Sequence, residues 1–214
     1  MKKTSKRRNI LLALAGLRGT LGILAIFLAK FLYEDHFLIL TLMRPTKEVF
    51  LAGAFLAKQG GEPSLLLKVL LAGLPLSMAG VWLSYLLGRQ FSDEIGKEEL
   101  PGLAGRILPV KKIRQLERVL KKKGPRLIFL GRLAAFPSSV IGAAAGSSDM
   151  PSRRFLPADG LGALAAIVEV MTLGYVLGSF FNKDDPATSW TITGLAVAAT
   201  FGLLFLAGRY LKRE

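Results

Sequence analysis

The sequence predicts an all-α integral membrane protein with four transmembrane helices, two opposed re-entrant helical hairpins and a basic amphipathic interfacial helix. Three observations carry that prediction. Of the 214 residues, 51% are apolar, and the mean hydropathy of +0.44 is high for a soluble domain. The apolar residues fall in blocks as long as Ser189–Gly208, which has 20 residues and no charge, about the length a helix needs to cross a bilayer core. Two other blocks are interrupted at their middle by proline and charge, which lipid does not tolerate unless protein or water shields them.

Composition removes several functions. With no cysteine there is no disulfide framework and no thiol nucleophile or ligand. A single histidine, His36, excludes a multi-histidine metal centre. No cofactor is expected; protons or another cation are the candidate coupling ions. The formal charge is +14, but the lysines and arginines flank apolar segments. Positive-inside topology and anionic lipid headgroups account for that distribution, and nucleic acid is not an expected partner.

The chain reads as one membrane domain over residues 1–214. Met1–Asn9 is a basic arm before an apolar segment, Ile10–Phe31, too long for a signal peptide and read as a retained first helix. Arg18 interrupts it and is expected to snorkel toward the cytoplasmic headgroups, with a functional role as the lesser alternative. Phe37–Ala57 is long enough to span, yet Arg44-Pro45-Thr46-Lys47-Glu48 sits at its centre. Proline removes a backbone donor and pushes the preceding residue out of helical angles, so a broken hairpin is expected.

Ser64–Gly88 is a span with a kink expected at Pro75 and interfacial aromatics Trp82 and Tyr85. The loop Arg89–Arg126 is polar and basic. Within it, Arg106–Lys123 places Val110, Ile113, Leu116 and Leu120 on one face. That face suits either the cytoplasmic leaflet or packing on the protein itself. Leu127–Gly146 is broken by Arg132 and Pro137, Ser147–Arg154 is a polar loop, and Phe155–Phe181 spans. Asn182–Pro186 is an acidic turn, and 187–214 holds the final span and a basic tail.

Parity sharpens the map. If all six apolar segments crossed from a cytoplasmic N-terminus, the loop Arg89–Arg126, with its eleven lysines and arginines, would lie outside, against the positive-inside rule. If Phe37–Ala57 and Leu127–Gly146 each leave by the face they enter, both termini, the basic loop and Arg153-Arg154 fall inside. The segments that parity requires to be re-entrant are the two that proline and charge interrupt. A hairpin followed by a span, twice, is a repeat-like plan of the kind that places transport sites at broken helices. Ser84-Tyr85-Leu86-Leu87-Gly88 and Gly174-Tyr175-Val176-Leu177-Gly178 echo each other at matching places.

Several of these residues are also a family pattern. Phe129-Leu130-Gly131-Arg132, Ala144-Ala145-Gly146, Met150, Arg154-Phe155 and Leu173 through Gly178, with Pro45–Glu48, Ala52–Ala57, Gly60 and Trp82 through Arg89, resemble the DedA family of the SNARE-associated, or VTT-domain, superfamily. The resemblance runs over about residues 34–180. It implies two facing re-entrant segments and movement of phospholipids or polyprenyl-phosphate carriers between leaflets, with proton coupling in bacterial members. It places the family's hairpin acid on Glu48 and its arginine on Arg132, and an earlier acid on Glu34 or Asp35. Three positions depart from the pattern. A second arginine six residues on is here Ser138, an asparagine is Asp159, and a hairpin proline is Gly142.

The expected function is therefore translocation of an anionic lipid in a bacterial inner membrane, without chemistry on the substrate. An ion-coupled transporter of a small solute and a membrane scaffold are the alternatives, and a homo-oligomer is an expected assembly. The substrate and proton site is assigned to Glu48, Arg132, Asp159 and Glu169, with Arg44, Lys47 and Glu34 around it. Arg132 offers a planar fork suited to phosphate, and its ion-pair partner is either Glu48 or Asp159. Glu48 is the candidate titrating acid. Asp159 and Glu169, ten residues apart, are expected on a similar helix face. Pro45, Pro137, Ser138, Gly142 and Gly146 mark the hairpin breaks, with the small residues allowing close packing. Arg153 and Arg154 would gather headgroups at the cytoplasmic entrance.

Overall fold

Proline and the apolar blocks divide the chain much as the sequence suggests. A computed structural model describes residues 2–33, 35–97, 100, 104–105, 108–134, 136–181, 191 and 194. Every regular element in that part is helical. Three helices are long and apolar enough to cross a membrane: α1 (Lys2–Leu32, over Lys6–Leu32), α4 (Ser64–Gln90) and α9 (Ser152–Phe180). The fourth expected span, 189–208, lies outside the described residues apart from 191 and 194. Helix α4 runs unbroken through Pro75.

The interrupted blocks become two pairs of short helices. In the first, α2 (Phe37–Met43) stops at Arg44, whose N–H still donates to the Leu40 carbonyl at 2.9 Å. Pro45 follows, Thr46 is extended, and α3 (Lys47–Gln59) begins with Glu48 in its first turn. In the second, α7 (Pro125–Leu133) ends at Ala134 and α8 (Ser138–Ser147) starts after Pro137. The second break thus lies before Ser138. Gly142 and Gly146, expected to share it, sit inside a continuous helix instead, because small side chains there serve packing.

The pairs are arranged crosswise. Helix α3 packs along α9 and α8 along α4, the two most extensive helix contacts among the described residues. Each second arm therefore leans on the span that follows the other break. Glycine makes this fit possible: a Cβ on Gly146 would collide with the Tyr85 carbonyl, one on Gly88 with the Ala143 carbonyl, and one on Gly174 with the Leu51 carbonyl. At membrane depth, where lipid is as apolar as leucine, such close backbone approach is a main source of helix affinity.

Polar contacts tie the ends of the bundle. Arg8 donates to the Gln90 carbonyl at 2.9 Å, pairs with Glu94 and lies over the Phe91 ring. Tyr85 Oη donates to the Met150 carbonyl at 2.6 Å, and its ring stacks between Trp82 and Phe155. The start of α1, the end of α4 and the start of α9 thus share one end. At the other end Gln59 Nε2 caps α9 through the carbonyls of Gly178 (2.6 Å) and Phe181 (3.0 Å), while Phe37 packs with Ala25 and Val69.

Two connecting helices complete the first end, α5 (Ser92–Lys97) and α6 (Val110–Lys123). Helix α6 is the amphipathic basic helix, but it is not interfacial by its apolar face. Ile113 and Leu120 are buried in a core with Tyr85, Ile95, Ile128 and Phe155, with Val110 and Leu116 packed against it. Of the two covers the sequence left open, protein takes the stripe; the hydrophobic period shows that a face needs covering, not by what.

Candidate functional site

The two helix breaks meet. Lys47, the first residue of α3, reaches across to the second pair and donates Nζ to the Leu133 carbonyl at 3.1 Å. That carbonyl belongs to the last turn of α7, where helical acceptors are left without intrahelical donors. Between the breaks lies an open cleft of about 620 Å³. Residues 44–48 and 136–139 line it, with Ser77, Gly80 and Ser84 from α4 and Arg18 from α1.

Arg132 is the buried member, 7% exposed. Its Nε donates to Asp159 Oδ1 at 2.8 Å and its Nη2 to Oδ2 at 3.1 Å. Of the two partners open to it in the sequence, Asp159 on α9 takes it, and Gly162 gives the room: a Cβ there would stand 3.1 Å from the Arg132 side chain. The pairing matters because an arginine at this depth is costly without a counter-charge. Asp159 is 1% exposed, so neither charge is left to solvent.

Among the described residues four cations line the cleft, Arg18, Arg44, Lys47 and Arg132, against one carboxylate, Glu48. Lys47 lies within electrostatic reach of Glu169, Arg132 and Glu48. Thr46 Oγ1 is buried with no hydrogen-bond partner. A concave surface with several guanidinium and ammonium donors and a spare hydroxyl has the chemistry to hold an anion.

Other candidates fall elsewhere. Asp159 and Glu169 do not share a face: Asp159 is buried and Glu169 exposed. Ten residues at about 100° each leave them roughly 80° apart, enough to divide an interior position from a surface one. Arg153 and Arg154 are exposed in the first turn of α9 and do not line the cleft. Glu34 lies outside the described residues, and Asp35 borders a separate cavity with His36 and Glu62.

Arg18 is the residue the sequence reading misplaced. It does not snorkel; its Nη1 donates to the Leu76 carbonyl of α4 at 2.8 Å. The signal was its position midway along a long apolar helix, remote from either set of headgroups.

The family model described as VTT domain matches residues 45–176. A relative named "Alkaline phosphatase-like protein", from Lactococcus lactis subsp. cremoris (strain MG1363), is 30% identical over 134 residues, 62% of this chain and 62% of that protein. The match thus spans under two thirds of that relative's length. No solved structure matches the chain.

Proposed function

Because this chain belongs to the VTT-domain family, the SNARE-associated or DedA group of integral membrane proteins, we propose that it carries an anionic lipid between leaflets of a bacterial inner membrane. The observation that carries the reading is the cleft at the helix breaks, with four cations and one carboxylate facing a single space. The phosphate-bearing headgroup, of a phospholipid or a polyprenyl phosphate, would enter this space while its chains stay in lipid. Arg132 would be the principal contact and Glu48 the carboxylate of the same site, with no bond in the substrate made or broken.

In the topology we propose with this reading, both breaks are re-entrant. The ends of α2–α3 lie toward the bundle end that carries Phe181, and those of α7–α8 toward the end that carries Met150. On that reading the end bearing Arg8 and Met150 is cytoplasmic, as are both termini. The relative's name raises a second reading, phosphate-ester hydrolysis. The four cations that line the cleft suit the holding of an anionic headgroup, so translocation is the reading we adopt.

The test is reconstitution into liposomes with fluorescent phosphatidylglycerol or labelled polyprenyl phosphate in the inner leaflet. Transfer above empty liposomes for at least one lipid, without phosphate release, is expected. Folded protein that moves neither lipid would sink the proposal, and phosphate release would favour the hydrolase.

A further inference from the structure

The cleft is completed by a helix that the family match does not reach. The match begins at residue 45 and α1 ends at Leu32, yet Arg18 of α1 shares the cleft wall with Arg44, Lys47 and Arg132. Its placement is specific. Beyond the bond to the Leu76 carbonyl, its guanidinium lies flat against Gly80 of α4, in space that any Cβ at that position would claim. Arg132 is near enough for the two cations to repel each other.

The four cations of the cleft are not equally compensated. Arg132 has Asp159, and Lys47 has Glu48 and Glu169 within reach. Arg18 has no carboxylate partner among the described residues; its hydrogen bond goes to a neutral carbonyl. A guanidinium has five N–H donors, so most of its donor capacity remains unused. Two like charges facing one cleft are unfavourable to each other, and an anion placed between them relieves both. Ser138, which lines the same cleft, supplies no charge of its own.

Resting on the translocation reading, we propose that Arg18 is a second ligand for the substrate's anionic group, supplied by α1. Gly80 is the bare stretch of backbone that lets the guanidinium lie in the cleft. The site is then shared between the matched domain and the helix that precedes it, and α1 forms a wall of the path the headgroup follows.

Phosphatidylglycerol is the probe, read in two ways. One is the lipid concentration that half-saturates its effect on the thermal midpoint of the protein in neutral detergent. The other is transfer in phosphatidylcholine liposomes. Arg18→Ala is expected to raise the half-saturating concentration about tenfold, the cost of one hydrogen bond to a charged group, while the lipid-free midpoint stays near wild type. Gly80→Ala, which keeps the charge but displaces it, is expected to do the same. Arg18→Ala with Ser138→Arg is expected to restore binding by returning a cation to the cleft.

Wild-type lipid dependence in Arg18→Ala would overturn the proposal. So would a lowered lipid-free midpoint in both single variants with no recovery on adding Ser138→Arg, since Arg18 would then only pin α1 to α4. If wild type binds the lipid through Arg18 but transfers none, translocation fails while the Arg18 assignment stands.

Discussion

Arg132 and Asp159 form a two-pronged ion pair across 27 positions of sequence, with Nε–Oδ1 at 2.8 Å and Nη2–Oδ2 at 3.1 Å, both residues buried. It joins the end of α7 to α9 and holds the second break in place. Removing one member of such a pair strands the other charge, at a cost of about 3–5 kcal/mol. Asp159→Ala is therefore expected to lower the thermal midpoint in detergent sharply. Arg132→Met combined with Asp159→Leu is expected to recover stability but not transfer. A wild-type midpoint in Asp159→Ala would show that the pair holds nothing.

Function is expected to separate from stability at two cleft residues. Arg132→Lys keeps a cation opposite Asp159 but loses the planar fork. Losing one hydrogen bond to a charged group, worth about 1.5–3 kcal/mol, should slow liposome transfer by roughly 10- to 100-fold. Glu48→Gln, at an exposed position in the first turn of α3, is expected to reduce transfer to the level of empty liposomes at near-normal yield. Normal transfer by either variant would remove that residue from the site.

Glycines divide sharply by their surroundings. Gly146→Ala would drive a methyl into the Tyr85 carbonyl, and Gly174→Ala into that of Leu51. Overpacking of this kind costs about 1–3 kcal/mol. Gly16 has nothing within 4 Å of an added Cβ, so Gly16→Ala should be neutral or stabilise α1 by up to about 1 kcal/mol. Thermal midpoints of the three variants check the contrast; equal midpoints would contradict the close approach of the arms to the spans.

Acid is expected to loosen the start of α4. Glu62 lies outside the spans, and hydrogen bonds from Lys68 (2.6 Å) and Ser64 (2.9 Å) hold its carboxyl below the ordinary range. A depressed acid contributes stability above its unfolded pKa and loses it as pH falls through the lower folded value. Hydrogen exchange at Leu65 and Leu66, compared with Glu62→Gln, should show extra fraying of wild type in that acid window. The effect will be small because the pair is exposed. Identical pH responses would show that the carboxyl takes no part.

Much of this arrangement could be read from residue order. Pro45 and Pro137 locate the breaks because proline acts on its own neighbours, and the long apolar runs of α1, α4 and α9 announce themselves by length. What depends on contacts between distant segments could not be read. Ile113 and Leu120 demanded cover without saying whose. Asp159 had Arg153 and Arg154 nearby in sequence, yet it turns inward to Arg132. Glu169 was expected on a face similar to that of Asp159, but helix rotation puts it on the surface. Arg18 gave only the fact of its cost, which snorkelling was expected to meet and an inward partner could meet as well. The Leu76 carbonyl and the glycine at position 80 belong to another helix and decide the matter.

The crosswise packing of α3 on α9 bears on how the chain is made. Leu51 and the glycine that accommodates it, Gly174, are separated by 123 positions. A ribosome that has just completed α4 has already released a broken helix with Arg44, Lys47 and Glu48 at its tip, while the surface it will rest on is still untranslated. Until α9 emerges, that polar tip needs a temporary host, either water at the translocon or an insertion factor. The first half of the protein is thus synthesised as a dependant of the second.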